Sequence, residues 1–521
     1  MLIKLTMLLI FFAVMVAIGL YCRKTASDVN GFVLGGRSVG PWLTAFAYGT
    51  SYFSAVVFVG YAGQFGWKYG IAATWAGIGN ALLGSLLAWV VLGRRTRIMS
   101  QHLDSATMPE FFGKRFGSPS LKVAASVIIF IFLIPYTASL YNGLSRLFGM
   151  AFDIDYTVCV IVMAVLTGVY VIAGGYMATA INDFIQGIIM LFGICAVILA
   201  VLNSQGGFLA ALEGLAQVSD PAVSSAPGVF ASFFGPDPVN LLGVVLLTSL
   251  GTWGLPQMVQ KFYAIKSEKS IDAGTVISTL FALVVAGGCY FLGGFGRLFA
   301  DRMEVVNGVP VGGYDAVIPT MLSGLPDLLM AVVVILVLSA SMSTLSSLVL
   351  TSSSTLTLDL IRDLLVKGMS QKKQVLVMRC LIVVFIAISV VLAIIQYKSN
   401  VTFIAQLMGV SWGALAGAFL APFLYGLYWK KATRAACWTS FLFSTVVMTA
   451  NIFFQASFPT LLRSPINAGA FCMLAGLVLV PVVSLLTPQP DAALVEDAFS
   501  CYDRKVLVRQ REALGDGEKA G

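Results

Sequence analysis

Apolar runs close to 20 residues long, apolar on every side, recur along this 521-residue chain. They lack the 3.6-residue period of a half-buried helix and the alternation of a half-buried strand. At about 1.5 Å rise per residue, such a run crosses the roughly 30 Å hydrocarbon core of a bilayer as a helix. Strands of a membrane barrel would be only about 10 residues long and alternating. The pattern predicts thirteen helices, at about 2–22, 40–66, 71–93, 123–149, 155–175, 184–203, 239–262, 271–296, 323–358, 376–397, 401–429, 435–457 and 466–486. The first run is too long for a signal peptide and lacks a convincing cleavage site, so it counts as a span.

Composition agrees with lipid as the solvent. The chain is 58% hydrophobic and 11% charged, where a soluble domain carries about 25% charged residues. Its net charge of +8 comes from cations between the apolar runs, not from a basic face of the kind that binds nucleic acid. None of the eight cysteines stands close to another, and most lie inside apolar runs. They read as small core residues, not as disulfides or metal ligands. His102 is the only histidine. With no cluster of His, Asp, Glu or Cys at one depth, an enzyme is excluded.

The cations also predict an orientation. With thirteen spans, one set of loops collects Arg94, Arg95, Arg97, Lys261, Lys266, Lys269, Arg362, Lys430 and many others, while the opposite set has Lys4, Lys68, Arg146, Arg297, Arg302, Lys398 and Arg463. The loop 204–240 has no Lys or Arg. Lys and Arg accumulate on the cytoplasmic side. A multi-pass protein of the plasma (inner) membrane is expected, with its N-terminus outside and a peripheral cytoplasmic tail at 487–521.

Two helices look built to break. Helix 2 carries Gly49-Thr50-Ser51 followed by Tyr52-Phe53-Ser54, and helix 7 carries Gly251-Thr252-Trp253-Gly254-Leu255-Pro256. Gly and Pro weaken the helical ladder and free backbone amides and carbonyls at mid-membrane. Matched breaks in two halves point to a transporter site, although Gly and Pro are also common in ordinary membrane helices. Helix 9 carries Ala340-Ser341-Met342-Ser343-Thr344-Leu345-Ser346-Ser347. Its hydroxyls could ligate an ion, or bond their own helix or glue it to a neighbour. Ionisable residues are scarce at helix centres; Asp183 is expected at the start of helix 6 and Lys261 at the end of helix 7. That scarcity argues against a proton relay. It leaves neutral oxygens, which suit a hard cation such as sodium.

At these residues the chain resembles the solute:sodium symporter family, whose members include proline and pantothenate transporters. The resemblance rests on Leu34-Gly35-Gly36-Arg37-Ser38-Val39-Gly40, on Gly174-Gly175-Tyr176-Met177-Ala178 through Asp183 and Gln186, and on Gly254-Leu255-Pro256-Gln257 with Lys261-Phe262. Met342-Ser343-Thr344-Leu345-Ser346 is the most specific match, and helix 11 from Trp412-Gly413 to Trp429-Lys430 also fits. The resemblance implies an all-α membrane fold of thirteen helices with LeuT-like inverted five-helix repeats. Its units here would be 1–39, 40–238, 239–434, 435–486 and 487–521. It implies a sodium ion held by the carbonyls of Thr50, Phe53 and Ala340 and the hydroxyls of Ser343 and Thr344. Asp183 matches an acidic position on the ion's cytoplasmic exit path, and is equally readable as a helix-start carboxylate.

The expected partners are sodium, a small organic solute and the lipid bilayer. The solute pocket is expected at Tyr52, Ser54, Tyr136, Ser139, Thr252, Trp253 and Gln257, with Asn80 and Gln406 further out. Proline transporters of the family carry an aspartate where Tyr52 stands, and their helix 7 aromatic positions fall on Thr248 and Thr252. Tyr52 and Ile181-Asn182-Asp183 look closer to the pantothenate branch, while Tyr136 matches the proline branch. A half-helix N-terminus after the helix 7 break favours a single carboxylate, so an amino acid or a pantothenate-like acid is expected. The alternatives are a neutral solute such as a sugar, and a proton-coupled or sodium-independent carrier of the same fold.

Overall fold

The computed structural model describes residues 2–152, 155–224, 226–306, 308–399 and 404–502. Its principal helices are α1 (Leu2–Tyr21), α2 (Pro41–Tyr52), α3 (Ala62–Tyr69), α4 (Thr74–Gly79), α5 (Arg94–His102), α6 (Met108–Arg115), α7 (Pro119–Phe152) and α8 (Tyr156–Ser204). They continue as α9 (Pro238–Gly254), α10 (Pro256–Ala264), α11 (Lys269–Gly293), α12 (Asp327–Thr355), α13 (Gln371–Ser399), α14 (Ile404–Tyr428), α15 (Arg434–Phe453), α16 (Pro465–Leu486) and α17 (Ala492–Ser500). Wider π-helical turns join or extend several of them, at Val56–Tyr61, Asn80–Leu87, Trp89–Gly93 and Leu356–Leu365. The one sheet among the described residues is a two-residue hairpin, Val305–Val306 against Val309–Pro310.

By length and composition, ten helices among the described residues can cross a membrane, or eleven when the bent pair α9 and α10 counts as one span. That is two fewer than the sequence predicts, and the difference lies in where the chain is cut. The runs Val56–His102 and Tyr156–Ser204 are 47 and 49 residues long, about 70 Å at helical rise, over twice a bilayer core. Each contains a glycine at positive φ: Gly70 at 62° and Gly175 at 55°. At Gly175 the backbone leaves helical geometry, and a Cβ there would sit 2.8 Å from the Phe32 carbonyl oxygen. The chain turns at Gly175, so Asp183 lies two turns inside the following segment and not at its start. It is fully buried, as is Lys261 in α10, at 0% and 1% exposure. Lys261 is therefore a buried cation, contrary to its expected place among the loop cations.

Burial separates the helices into a centre and a periphery. The apolar windows of Gln406–Tyr428 and Asp327–Leu365 are 94% and 83% buried, those of Ile3–Lys24 and Gln371–Lys398 only 22% and 33%. α12 packs on α7 and α8, α14 on α15 and α16, and α11 on α2 and the 80–87 turns. Lipid supplies no hydrophobic drive between helices, so small residues and hydroxyls carry the close contacts. α3 meets α11 where a Cβ on Gly66 would lie 1.9 Å from the Gly293 oxygen. Beyond the last span, α17 docks its buried Val495, Ala498 and Phe499 near α5 and α6. His102, which ends α5, meets the Asp497 carbonyl at 2.8 Å.

Candidate functional site

The helix 2 break lies where the sequence places it. α2 ends at Tyr52, and Phe53 is extended, with φ −88° and ψ 117°. A helix end leaves its last carbonyls without intrahelical amides. Two of these, on Thr50 and Phe53, face α12. The Thr344 hydroxyl donates to the Thr50 carbonyl at 3.0 Å and to the Phe53 carbonyl at 3.3 Å, and it also lies 3.1 Å from its own helix's Ala340 carbonyl. The Ser343 hydroxyl reaches the Thr50 and Ala340 carbonyls at 3.2 and 3.0 Å. The five oxygens that the resemblance names thus lie together between α2 and α12. Bonds from a hydroxyl to its own helix are common in membranes. The bonds across to a broken partner helix set this cluster apart.

The chemistry of this set fits a hard, singly charged cation. It offers three carbonyls and two hydroxyls, all on fully buried residues, with no carboxylate among them. Each hydroxyl has two lone pairs and one proton. A cation among the carbonyls would take the lone pairs and turn the protons away. Thr50 Oγ1, beside the cluster, is buried with no hydrogen-bond partner among the described residues.

Next to the cluster lies a pair that the sequence does not announce. Lys261 Nζ is 3.9 Å from Asp183 Oδ2 and donates to Ser347 Oγ at 3.0 Å. Ser347 Oγ is 2.9 Å from Ser51 Oγ. Ser347 is one helical turn beyond Ser343, and Ser51 adjoins Thr50, so a polar chain runs from the buried ion pair to the five-oxygen cluster. The quoted motifs held Lys261 and Ser347, but their spacing could not show that they meet.

Helix 7 breaks too. Leu255 is extended (φ −80°, ψ 123°) and α9 and α10 are bent by 46°, as expected for a residue before proline. Around this break the expected pocket residues divide. Tyr136 stands edge-on to Trp412, ring centroids 5.9 Å apart at 87°. The Trp412 ring lies against Gly251, where a Cβ would come within 2.6 Å of it. Ser54 is buried just past the helix 2 break, its hydroxyl accepting from the Val56 amide at 3.2 Å. Gln257 is fully buried with neither amide atom hydrogen-bonded among the described residues, one turn before Lys261 on the same face of α10.

The others are engaged elsewhere. Thr252 donates to the Gly84 carbonyl at 2.8 Å and the Trp253 indole to the Leu83 carbonyl at 2.9 Å, tying α9 to the 80–87 turns. Ser139 donates to its own helix at the Tyr136 carbonyl. Asn80 accepts from Ser249 at 3.4 Å, and Gln406 is half-buried near the start of α14. The side chain of Tyr52 lies outside the described residues. Sequence reasoning singled out neither the Trp412 ring against Gly251 nor Tyr61, whose buried hydroxyl has no partner among the described residues.

Residues 32–443 match the family model described as the sodium:solute symporter family. The chain belongs to that family. This symporter is 28% identical over 488 residues to the osmoregulated proline transporter of Bacillus subtilis (strain 168), covering 93% of this chain and 95% of the relative. It is 29% identical over 521 residues to the sodium/proline symporter of Staphylococcus aureus (strain NCTC 8325 / PS 47), covering 97% and 96%. Among solved structures, the substrate-bound outward-open state of a Na+-coupled sialic acid symporter superposes with a TM-score of 0.73. The sequence identity there is 15%, over 94% of this chain and 99% of the other, so the likeness is one of fold. The symporter is a transporter and not an enzyme, with a multi-pass helical membrane fold of the LeuT type.

Proposed function

We propose that this symporter moves a small amino acid bearing one carboxylate together with sodium, with proline the first solute to test. The observation that carries the coupling half is the meeting of the Thr50, Phe53 and Ala340 carbonyls with the Ser343 and Thr344 hydroxyls at a helix break. In this reading those five residues hold the sodium ion, and Asp183 stands on its exit path. Binding the ion ties the broken α2 to α12, which makes one conformation of the helix pair dependent on sodium. That differential interaction is what coupling requires.

The solute half rests on two supports. The relatives at 28% and 29% identity are proline transporters by name. The α10 N-terminus follows the helix 7 break, and the unpartnered Gln257 amide stands in its first turn. Helix N-termini favour a negative group. Among the described residues the buried cation of this helix, Lys261, already faces Asp183, so a multivalent anion would lack compensation. Tyr136, Ser54 and Trp412 would wall the solute, and Tyr52 would stand where proline transporters carry an aspartate. In the same reading, the inverted repeats are 40–238 and 239–434, the N-terminus is outside and the tail cytoplasmic.

The test is uptake of labelled proline into vesicles, with sodium or choline outside, and competition by amino acids, pantothenate, their methyl esters and sugars. The reading holds if uptake needs sodium and free acids compete while esters do not. Uptake that persists in choline overturns the sodium site, and competition by sugars or esters alone overturns the carboxylate.

A further inference from the structure

We infer that the symporter carries a binding site for an anionic phospholipid at the junction of α5, the C-terminal end of α10 and the start of α11. A cavity of about 600 Å³ lies there, lined by Arg94, Arg97, Lys266 and Lys269 together with Glu268 and Asp272. Arg94 is paired with Glu268 at 2.7 Å, and Arg97 is held on the Ile265 carbonyl and Gln101 at 2.6 Å each. Lys266 and Lys269 are exposed and form no recorded ion pair among the described residues. The cavity therefore keeps an excess of positive charge and two exposed ammonium donors.

What distinguishes this site from a general basic surface is the surface that leads into it. On α11, Val276, Leu280 and Leu283 are 59%, 57% and 49% exposed, and they follow Lys269 at helical spacing on one face. On the neighbouring helix, Leu86, Leu87 and Val90 are exposed and stand on the same face as Arg94. The two helices pack against each other, so two rows of exposed apolar side chains run side by side, each with a cation at its end. From Lys269 to Leu283 is about 21 Å along the helix, somewhat more than one leaflet of a roughly 30 Å core. A molecule with a phosphate at one end and acyl chains at the other matches both parts. Basic pockets between membrane helices are the known setting for such headgroups. A free phosphate uses only the cavity and makes no use of the apolar rows beside it.

The position matters for the fold. The Lys266 amide donates to the Val39 carbonyl at 2.9 Å, and the Val39 amide to the Ala264 carbonyl at 3.3 Å. This bridge joins the entry of α2 to the exit of α10, the ends of the two broken helices. A phosphate clamped by Arg94, Lys266 and Lys269 braces that bridge against α5 and α11.

The experiment uses the full chain, purified and delipidated in neutral detergent, and titrated with phosphatidylglycerol, phosphatidylcholine or inorganic phosphate. Retained lipid is read by native mass spectrometry and stability by thermal midpoint. Phosphatidylglycerol should be retained and raise the midpoint, and phosphatidylcholine should do neither. Each cation removed, in Arg94→Gln, Lys266→Gln and Lys269→Gln, should weaken retention about fivefold. Lys266→Gln and Lys269→Gln break no ion pair among the described residues and serve if Arg94→Gln, which frees Glu268, does not fold. Lys373→Gln, an exposed cation that lines no part of the cavity, should change nothing. Equal retention of the two lipids, full retention by the variants, or the same stabilisation by inorganic phosphate would each overturn the site. None of these outcomes depends on which solute is carried.

Discussion

The ammonium of Lys261 stands 3.9 Å from the Asp183 carboxylate, with both side chains buried. Removing one partner of such a pair leaves an uncompensated buried charge, at a cost of about 3–5 kcal/mol, whereas removing both is often neutral. Asp183→Asn and Lys261→Met should each lower the thermal midpoint and the amount of folded protein. The double variant should recover most of the loss. If the double variant is as unstable as the two losses added, the pair is not coupled.

Ser343→Ala and Thr344→Ala each delete one oxygen from the five-oxygen cluster. Ala is a good helix former, so α12 should persist. Losing about 1.4 kcal/mol of ion binding is a tenfold change. The sodium concentration for half-maximal uptake should rise about tenfold in either variant, with membrane abundance kept. Unchanged sodium dependence in the double variant would show that the ion is held elsewhere.

Packing between α3 and α11 depends on two glycines. A Cβ at Gly66 would meet the Gly293 oxygen at 1.9 Å, while a Cβ at Gly287, also on α11, meets nothing within 4 Å. Overpacking costs about 1–3 kcal/mol and more against backbone. Gly66→Ala should sharply reduce monodisperse protein in size-exclusion profiles. Gly287→Ala should match or slightly exceed the parent, since Ala favours helix by up to about 1 kcal/mol. Equal behaviour of the two would refute the close approach.

Orientation can be read directly. With the eight native cysteines replaced, a cysteine at Ser224 should react with an impermeant thiol reagent on intact cells. One at Ser370 should react only after the membrane is opened. The reverse pattern would invert the cation argument.

Much of this was legible in the chain because lipid imposes a crude code. A bilayer core demands about 20 apolar residues, and Gly and Pro mark where the ladder fails, so the spans and both breaks could be placed. The cut at Gly175 was harder. Its non-helical backbone breaks the helix inside a continuous apolar stretch, which moved Asp183 two turns inward from its expected place. Thr252 and Trp253 misled for a related reason. They sit at the break as expected, but their donors are spent on the Gly84 and Leu83 carbonyls, and nothing in the spacing of α9 shows which neighbour it meets.

The sequence by itself determined a helical membrane protein, two interrupted helices, and a set of neutral oxygens suited to a hard cation. Only the tertiary structure decided that the Thr50 and Phe53 carbonyls face Ser343 and Thr344, that Lys261 meets Asp183, and that Trp412 lies on Gly251. In water, a helix writes its buried face into its apolar period, because one side is wet. In lipid, every face is apolar, the period is lost, and the choice of neighbour passes to small residues and a few polar groups whose partners lie far along the chain.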